Sequence, residues 1–499
     1  MQFAPSTDAL LAMMTSPHML LLLMAGTCVG LFFGIMPGLG GKLGLIFLIP
    51  FTLGMDPLAG AVFLLSMHSV VHTSGAIPSI LFGIPGTGPD AATIVDGFPM
   101  TKNGEAGRAL GATLFASGIG GVVGALFLSA MLPFIGPVVL AFSPAEFFLL
   151  AMLGITFIAA LSGKSLLKGL IVGFFGLMVS FIRLDPLTAE SRFTFGQLFL
   201  WDGVDAVTAV IAIFAVPEII SLAARLEIGF EMSRVNNKYN FASVWEGCLD
   251  VFRHWSLTLR TSIIGAVIGL IPGLGGDVAT WICYGHAVHS SKTPERFGKG
   301  AVEGVIAPET ANNSKEGGAL LPTLYFGIPG SASMAILLGA LVTLGIQPGP
   351  QLVEHGSGLV WTLIWTLALA NILSVILLLA CAPWFSQLAS IRPELLVPYV
   401  VVFSLLGSYL SAGAWQNFIV LICLGGVAYL LKKYDWPRPP FVVGIVLGPI
   451  AETSLHKAMM IWGPSFLLRP LSLTLLALIF GTIATYAFRA WRRNTRHGA

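Results

Sequence analysis

Gly34-Ile35-Met36-Pro37-Gly38-Leu39-Gly40-Gly41 returns later in the chain as Gly269-Leu270-Ile271-Pro272-Gly273-Leu274-Gly275-Gly276, and each copy sits in apolar surroundings. A second phrase follows each copy: Phe82-Gly83-Ile84-Pro85-Gly86-Thr87 and Phe326-Gly327-Ile328-Pro329-Gly330-Ser331. Proline removes a backbone donor and glycine tolerates almost any φ/ψ, so such phrases break helices. At membrane depth a broken helix survives only where the freed backbone faces protein or a polar cavity. Two matched pairs of breaks therefore predict two repeats meeting at a binding site, the pattern of a secondary transporter.

Composition supports a membrane setting. The 499 residues are 56% hydrophobic and 10% charged, with mean hydropathy +0.87. A soluble domain carries about 25% charged residues. Apolar runs from end to end predict an all-α polytopic membrane protein of about ten to twelve crossings, some helices being broken or re-entrant. The ~10-residue alternation of a transmembrane β-barrel is absent. The five cysteines (Cys28, Cys248, Cys283, Cys381, Cys423) form no C-x-x-C pair and read as packed free thiols. No Lys or Arg precedes Lys42, so the run 18–34 reads as a retained membrane helix and not a secretory signal. With net charge +2 and no basic folded region, nothing points to nucleic acid.

The polar stretch 225–255, with Arg225, Glu227, Glu231, Arg234, Lys238, Asp250 and Arg253, reads as a cytoplasmic linker between repeats at 1–224 and 256–499. The positive-inside rule assigns basic loops to the cytoplasm. The turn at Lys164 and Lys168 is basic in the first half. In the second half the corresponding turn at 411–416 is uncharged, and the basic segment is the later Lys432-Lys433-Tyr434. Equivalent loops then face opposite sides, which favours an inverted-topology repeat over a parallel one.

The repeats differ in what they carry. Lys42 follows the first Pro-Gly-Leu-Gly-Gly, and Asp277 follows the second. An ionisable residue in a membrane domain is a functional candidate by default. Lys42 then holds an anionic group and Asp277 a coupling cation or proton. Two structural readings stand beside this one: the residues pair across a pseudo-twofold axis, or Lys42 snorkels to a headgroup. Between the phrases, Met67-His68-Ser69-Val70-Val71-His72-Thr73-Ser74-Gly75 occupies the place of Ala311-Asn312-Asn313-Ser314-Lys315-Glu316-Gly317-Gly318-Ala319. Hydroxyls and amide oxygens are hard ligands that suit Na⁺, so Ser69, Thr73, Asn312, Asn313 and Ser314 join Asp277 as candidates for the coupling ion. Main-chain N–H groups at helix starts suit carboxylates. That selects Gly38, Gly40, Gly41, Gly86, Thr87, Gly273, Gly275, Gly276, Gly330 and Ser331, with Lys42, as the substrate-binding set. Thr87 and Ser331 can equally cap the helices that follow. His68 and His72 share a helix face, but no carboxylate neighbours them in sequence, so no metal site is assigned. The run 96–105 reads as a solvated loop. No catalytic set is recognised; a membrane-embedded enzyme would gather one in a single half, and a passive anion channel is the other rival.

The ordered phrases of the second half are Pro272-Gly273-Leu274-Gly275-Gly276, Phe297-Gly298-Lys299-Gly300, Ala307-Pro308-Glu309-Thr310-Ala311-Asn312-Asn313, Phe326-Gly327-Ile328-Pro329-Gly330-Ser331 and Gly345-Ile346-Gln347-Pro348-Gly349-Pro350. With their first-half counterparts, they make the chain resemble the large membrane subunit of the bacterial tripartite tricarboxylate transporters, over nearly its whole length. Lys42 departs from the small or hydroxylated residue expected at its position. The resemblance implies an inner-membrane system with two partners: a periplasmic solute-binding protein and a small membrane subunit of about four helices. It further implies uptake of a di- or tricarboxylate or other organic anion, driven by Na⁺ or H⁺ without ATP or another cofactor. No phosphate-binding Walker A loop is present, in keeping with that.

Overall fold

The computed structural model describes residues 6–36, 40–161, 165–185, 188–225, 241–272, 275–349, 351–352, 356–388, 397–412 and 414–497. They form an all-α polytopic membrane protein. In the first half the helices are α1 (Ser6–Thr15), α2 (Pro17–Ile35), α3 (Gly40–Thr52), α4 (Pro57–Phe82), α5 (Ala91–Lys102), α6 (Ala106–Leu140), α7 (Pro144–Leu161), α8 (Leu166–Ser180) and α9 (Ala206–Arg225). The second half holds α10 (Phe241–Arg253), α11 (Trp255–Gly269), α12 (Gly275–Ser290), α13 (Glu303–Phe326), α14 (Ala332–Thr343) and α15 (Ser357–Leu388). It ends with α16 (Val397–Ala412), α17 (Asn417–Lys433), α18 (Pro439–Trp462) and α19 (Pro470–His497). The sheet is one hairpin, Arg183–Leu184 against Ser191–Arg192. Arg183 and Arg192 pin it to Glu452 of α18 at 2.8 and 2.5 Å.

Helix packing repeats when the halves are exchanged. α2 lies along α4 as α11 lies along α13; α6 crosses α13 as α15 crosses α4. Likewise α9 packs on α16 and α17, while α18 packs on α7 and α8. Small residues make the central crossings possible. Gly26, Gly30 and Gly34 of α2 face Phe63, Ser66, Met67 and Val71 of α4, and a Cβ on Gly124 or Gly317 would enter the other helix's backbone. Such small-residue seams substitute for the hydrophobic drive that lipid removes.

Both Gly-Ile-Pro-Gly breaks adopt one geometry. Gly83 ends α4 with φ 67°, ψ 23°, and its N–H donates to the Pro78 carbonyl. Gly327 ends α13 with φ 67°, ψ 17°, donating to Pro322. The next amides, of Ile84 and Ile328, reach the same carbonyls at 3.4 and 3.1 Å. A left-handed residue five positions after a helical proline is what glycine permits.

Among the described residues four helices are long and apolar enough to cross a bilayer: α2, α4, α6 and the 358–380 part of α15. A fifth results if Pro439–Leu468 and Pro470–Thr485, bent by 67°, make one span. The larger number read from apolar runs includes helices such as α14, whose twelve residues reach only about 18 Å of a ~30 Å core. α13 is buried throughout but carries Glu303, Glu309, Lys315 and Glu316, so apolarity alone does not select it. Of the expected linker, 226–240 lie outside the described residues. Its end is α10, which lies on α6 through Arg108–Asp250 at 2.6 Å. The run 96–105 is not a solvated loop: 91–102 is helical, and buried Asp96 accepts from the Gly300 and Ala301 amides at 2.9 Å and the Tyr284 hydroxyl at 3.0 Å. Those three donors satisfy a carboxylate that water does not reach.

Candidate functional site

α4 and α13 meet through their polar islands. Lys315 and Glu316 are adjacent in α13 and buried, at 4% and 1% exposure, and the Lys315 ammonium contacts Glu316 Oε1. A charge away from water persists only when paired, and removing one partner leaves the other uncompensated. The second Glu316 oxygen is met from α4. His68 Nε2 lies 3.0 Å from Oε2. A carboxylate only accepts, so that nitrogen carries the proton and donates. His68 Nδ1 is buried with no partner.

His72 is held differently. Thr87 donates both its amide (2.7 Å) and its hydroxyl (2.6 Å) to Asp90 Oδ2. With that hydroxyl proton committed, the Thr87 oxygen can only accept, and His72 Nδ1 donates to it at 3.2 Å. The other nitrogen, Nε2, is then bare. It stands 3.2 Å from Glu316 Oε1 without hydrogen-bond geometry. Two acceptors therefore face each other in a buried site.

A further layer surrounds this core. Asn312 Nδ2 donates to Asp90 Oδ1 at 2.9 Å, and Asn313 Nδ2 donates to Thr73 Oγ1 at 2.7 Å and Asn371 Oδ1 at 2.6 Å. The carbonyl oxygens of both asparagines are buried with no partner. Glu309 accepts from the hydroxyls of Thr93 and, at 2.9 Å, Ser117. Lys315 in turn reaches the second Pro-Gly-Leu-Gly-Gly break: a Cβ on Gly276 would stand 3.1 Å from its Nζ and 2.6 Å from Pro89 Cγ. Only glycine lets the first turn of α12 approach the ammonium this closely. The N–H groups of a helix start and a lysine there form an anion-attracting corner.

The residues expected from sequence divide as follows. Asn312, Asn313, Thr73, Thr87 and Gly276 belong to this network, and Gly275 starts α12 beside it with φ 65°. Ser69 and Ser314 donate within their own helices, to Ser66 and Ala311. Gly86 and Gly330 pack where a Cβ would press on Gly75 and Ala319. Ser331 caps α14 by accepting from the Met334 amide at 3.2 Å. Gly40 and Gly41 begin α3, Gly41 against Val71. Lys42 is exposed on α3, outside the buried cluster. Asp277 lies in the first turn of α12, its side chain outside the described residues, as are Gly38 and Gly273.

Lys315, Glu316, Asp90, Glu309 and the two histidines as a unit were not among the expected site residues. The rule that singled out Lys42 and Asp277 applies equally to Lys315 and Glu316. The carboxylate absent beside His68 and His72 in sequence is supplied by Glu316 from the other half. One ligand atom from each of His68, His72 and Glu316 falls within 4.8 Å of the others, a group that could hold a metal. The Lys315 ammonium on the same carboxylate sets a positive charge against that use.

Comparison with known proteins agrees with this architecture. Residues 20–443 match the model of the tripartite tricarboxylate transporter TctA family. An uncharacterized 52.8 kDa protein in the TAR-I ttuC' 3' region of Agrobacterium vitis is 32% identical over 456 residues, covering 91% of this chain and 90% of that relative. An uncharacterized protein in the TAR-II ttuC' 3' region of the same organism is 33% identical over 217 residues, 43% of this chain and 90% of its own length. No solved structure matches. Matching over most of its length and carrying a buried charged site between duplicated helix breaks, the chain belongs to the tripartite tricarboxylate transporter TctA family.

Proposed function

We propose that this chain is the translocating subunit of a binding-protein-dependent secondary transporter in the bacterial inner membrane, importing a di- or tricarboxylate or related organic anion on a Na⁺ or H⁺ gradient. The observation that carries the reading is the Lys315 ammonium lying against the first turn of α12, next to duplicated breaks. A carboxylate there meets the Lys315 ammonium, for which it competes with Glu316, and the amides of a helix start. The exchangeable packing of the halves supports a repeat, and the loop charges favour an inverted topology in which the two broken-helix tips enter from opposite sides. Asp90 and the carbonyl oxygen of Asn312 are hard oxygen ligands for the coupling cation. A periplasmic solute-binding protein delivers the anion, and a small four-helix subunit completes the membrane complex.

The test is uptake of radiolabelled citrate and succinate into proteoliposomes holding both membrane subunits, with the binding protein outside. A symporter accumulates anion against its gradient only with an imposed ion gradient, and it shows counterflow. Equilibration without counterflow would instead describe a channel, and chemical conversion of the anion an enzyme.

A further inference from the structure

We propose that the space between His72 Nε2 and Glu316 Oε1 is a proton-binding site, filled when Lys315 leaves Glu316 for a carboxylate of the transported anion. The inference rests on the transport reading above and names H⁺ as the ion bound with substrate at this position.

Hydrogen bonding fixes the direction. Thr87 gives its amide and its hydroxyl to Asp90, so His72 Nδ1 must donate to Thr87, and the bare Nε2 faces a carboxylate oxygen at 3.2 Å. Acceptor against acceptor is tolerable while the Lys315 ammonium sits on that oxygen. Lys315 also lies on the first turn of α12, where an anion would arrive. Glu316 and an incoming carboxylate thus compete for one ammonium. When the anion takes it, Glu316 becomes a buried carboxylate without a cation, unless a proton enters between Oε1 and Nε2. A proton from water on the loading side then forms the Nε2–H bond, giving an imidazolium ion-paired with Glu316 across that 3.2 Å gap. On release of the anion Lys315 returns, the N–H bond breaks, and the proton leaves to water on the other side.

The charged and titratable groups around His72 are consistent with that role. On its own helix stands His68, already donating to Glu316 Oε2. α13 brings Lys315, Glu316 and, further along, Glu309. The segment after α4 brings Asp90, α5 brings Asp96 and Lys102, and the first turn of α12 contains Asp277, whose side chain lies outside the described residues. α6 has Arg108 at its start, α11 has Arg260, and α3 has exposed Lys42. α2 has His18 at its start and the Cys28 thiol, and α15 has no charged residue. Among the described residues that contact Glu316, which are His68, His72 and Lys315, the two imidazoles can take up a proton to replace the ammonium. His68 already has its Nε2 proton in place, which leaves His72 as the site that changes.

The substrate-free test uses the purified full-length protein with its membrane partner in lipid nanodiscs, with ¹⁵N-labelled histidine. In the unsubstituted protein at neutral pH, the His72 signal, assigned by its loss in His72→Gln, should be that of a neutral ring. In Lys315→Met it should shift to the imidazolium range. Lys315→Arg should keep it neutral, and Lys315→Met with Glu316→Gln should return it to neutral. A neutral His72 in Lys315→Met overturns the proposal. So does saturable Zn²⁺ binding lost in His72→Gln, which would make the group a metal site. In proteoliposomes containing a pH dye, citrate or succinate uptake should acidify the lumen, and His72→Gln should abolish the acidification. Uptake without acidification overturns the proton site and leaves the transport reading standing. No uptake of any carboxylate delivered by the binding protein overturns the transport reading, and the nitrogen shifts still decide the proton exchange.

Discussion

At Gly83 and at Gly327 the chain leaves a helix with the same φ of 67° and hands its amide back to a proline carbonyl. Upstream of those ends the two helices diverge. Aligning Pro78 with Pro322 sets His68 at the place of Asn312, Val71 at that of Lys315 and His72 at that of Glu316. α4 thus brings imidazoles and hydroxyls, and α13 brings the Lys315–Glu316 pair. His72 and Glu316 hold equivalent places and also meet, so the halves face each other at this point with unlike groups. The duplication supplies a scaffold of paired breaks, and its chemistry comes from the asymmetry. Two identical carboxylates here would repel, and two imidazoles would have no counter-charge.

The hardest blow to that comparison is removal of the Lys315 ammonium. Lys315→Met should reduce carboxylate uptake by a factor of about 100 or more, because losing one partner of a buried pair costs about 3–5 kcal/mol. Combining it with Glu316→Gln should recover thermal stability in detergent and not uptake. Uptake near that of the unsubstituted protein in Lys315→Met would mean the charge asymmetry is structural only. A smaller effect should follow Asn312→Ala, which takes a donor from buried Asp90. A charge-assisted hydrogen bond of this kind is worth about 1.5–3 kcal/mol, to be read as a lowered unfolding midpoint. An unchanged midpoint would show that other donors satisfy Asp90.

How much of this was legible in the sequence depends on the range of the interaction. The helix breaks at Gly83 and Gly327 are local chemistry of glycine after proline, and the all-α membrane class follows from composition. The register of Met67–Gly75 on Ala311–Ala319 was also visible, since the flanking phrases anchor it. The pairing of His72 with Glu316 was not, because it joins residues in different halves and their neighbours in sequence say nothing of it. Lys42 drew attention as the charge directly after a break, yet it is exposed on α3, while buried Lys315 approaches the corresponding turn of the other half from a different helix. Asp96 was hidden for a related reason. Its donors lie in the second half, so locally its run looks merely polar.

Backbone equivalence makes its own prediction, of smaller size. Gly83→Ala and Gly327→Ala should each cost about 1–2 kcal/mol, the penalty of a left-handed conformation for an L-residue. The new Cβ would stand 3.0 Å from the Phe98 ring in one case and 3.0 Å from Leu447 in the other. Matched losses of thermal stability would sustain the shared geometry. A loss confined to one variant would show that the second break is supported by its surroundings and not by its turn.

The smallest effect, that of Ser331→Ala, is expected just beyond those breaks, where the repeats place Thr87 and Ser331 in equivalent positions with different work. Ser331 accepts from the Met334 amide at the start of α14, so Ser331→Ala should cost about 1 kcal/mol of stability and leave the ion dependence of uptake unchanged. Thr87 gives its protons to Asp90 and takes one from His72. In Thr87→Val the hydroxyl that fixes the His72 tautomer is gone, so Nε2 is free to carry the ring proton and donate to Glu316. The stability change should be larger, about 1.5–3 kcal/mol, because a charge-assisted bond to Asp90 is lost, and the pH profile of uptake should move, because the resting ring now holds its proton where the incoming one would bind. A shifted profile in Thr87→Val beside an unshifted one in Ser331→Ala is the signature of chemistry confined to one copy. Equal behaviour of the two would make Thr87 a second helix cap, and the route from Asp90 to Glu316 would lose its middle member.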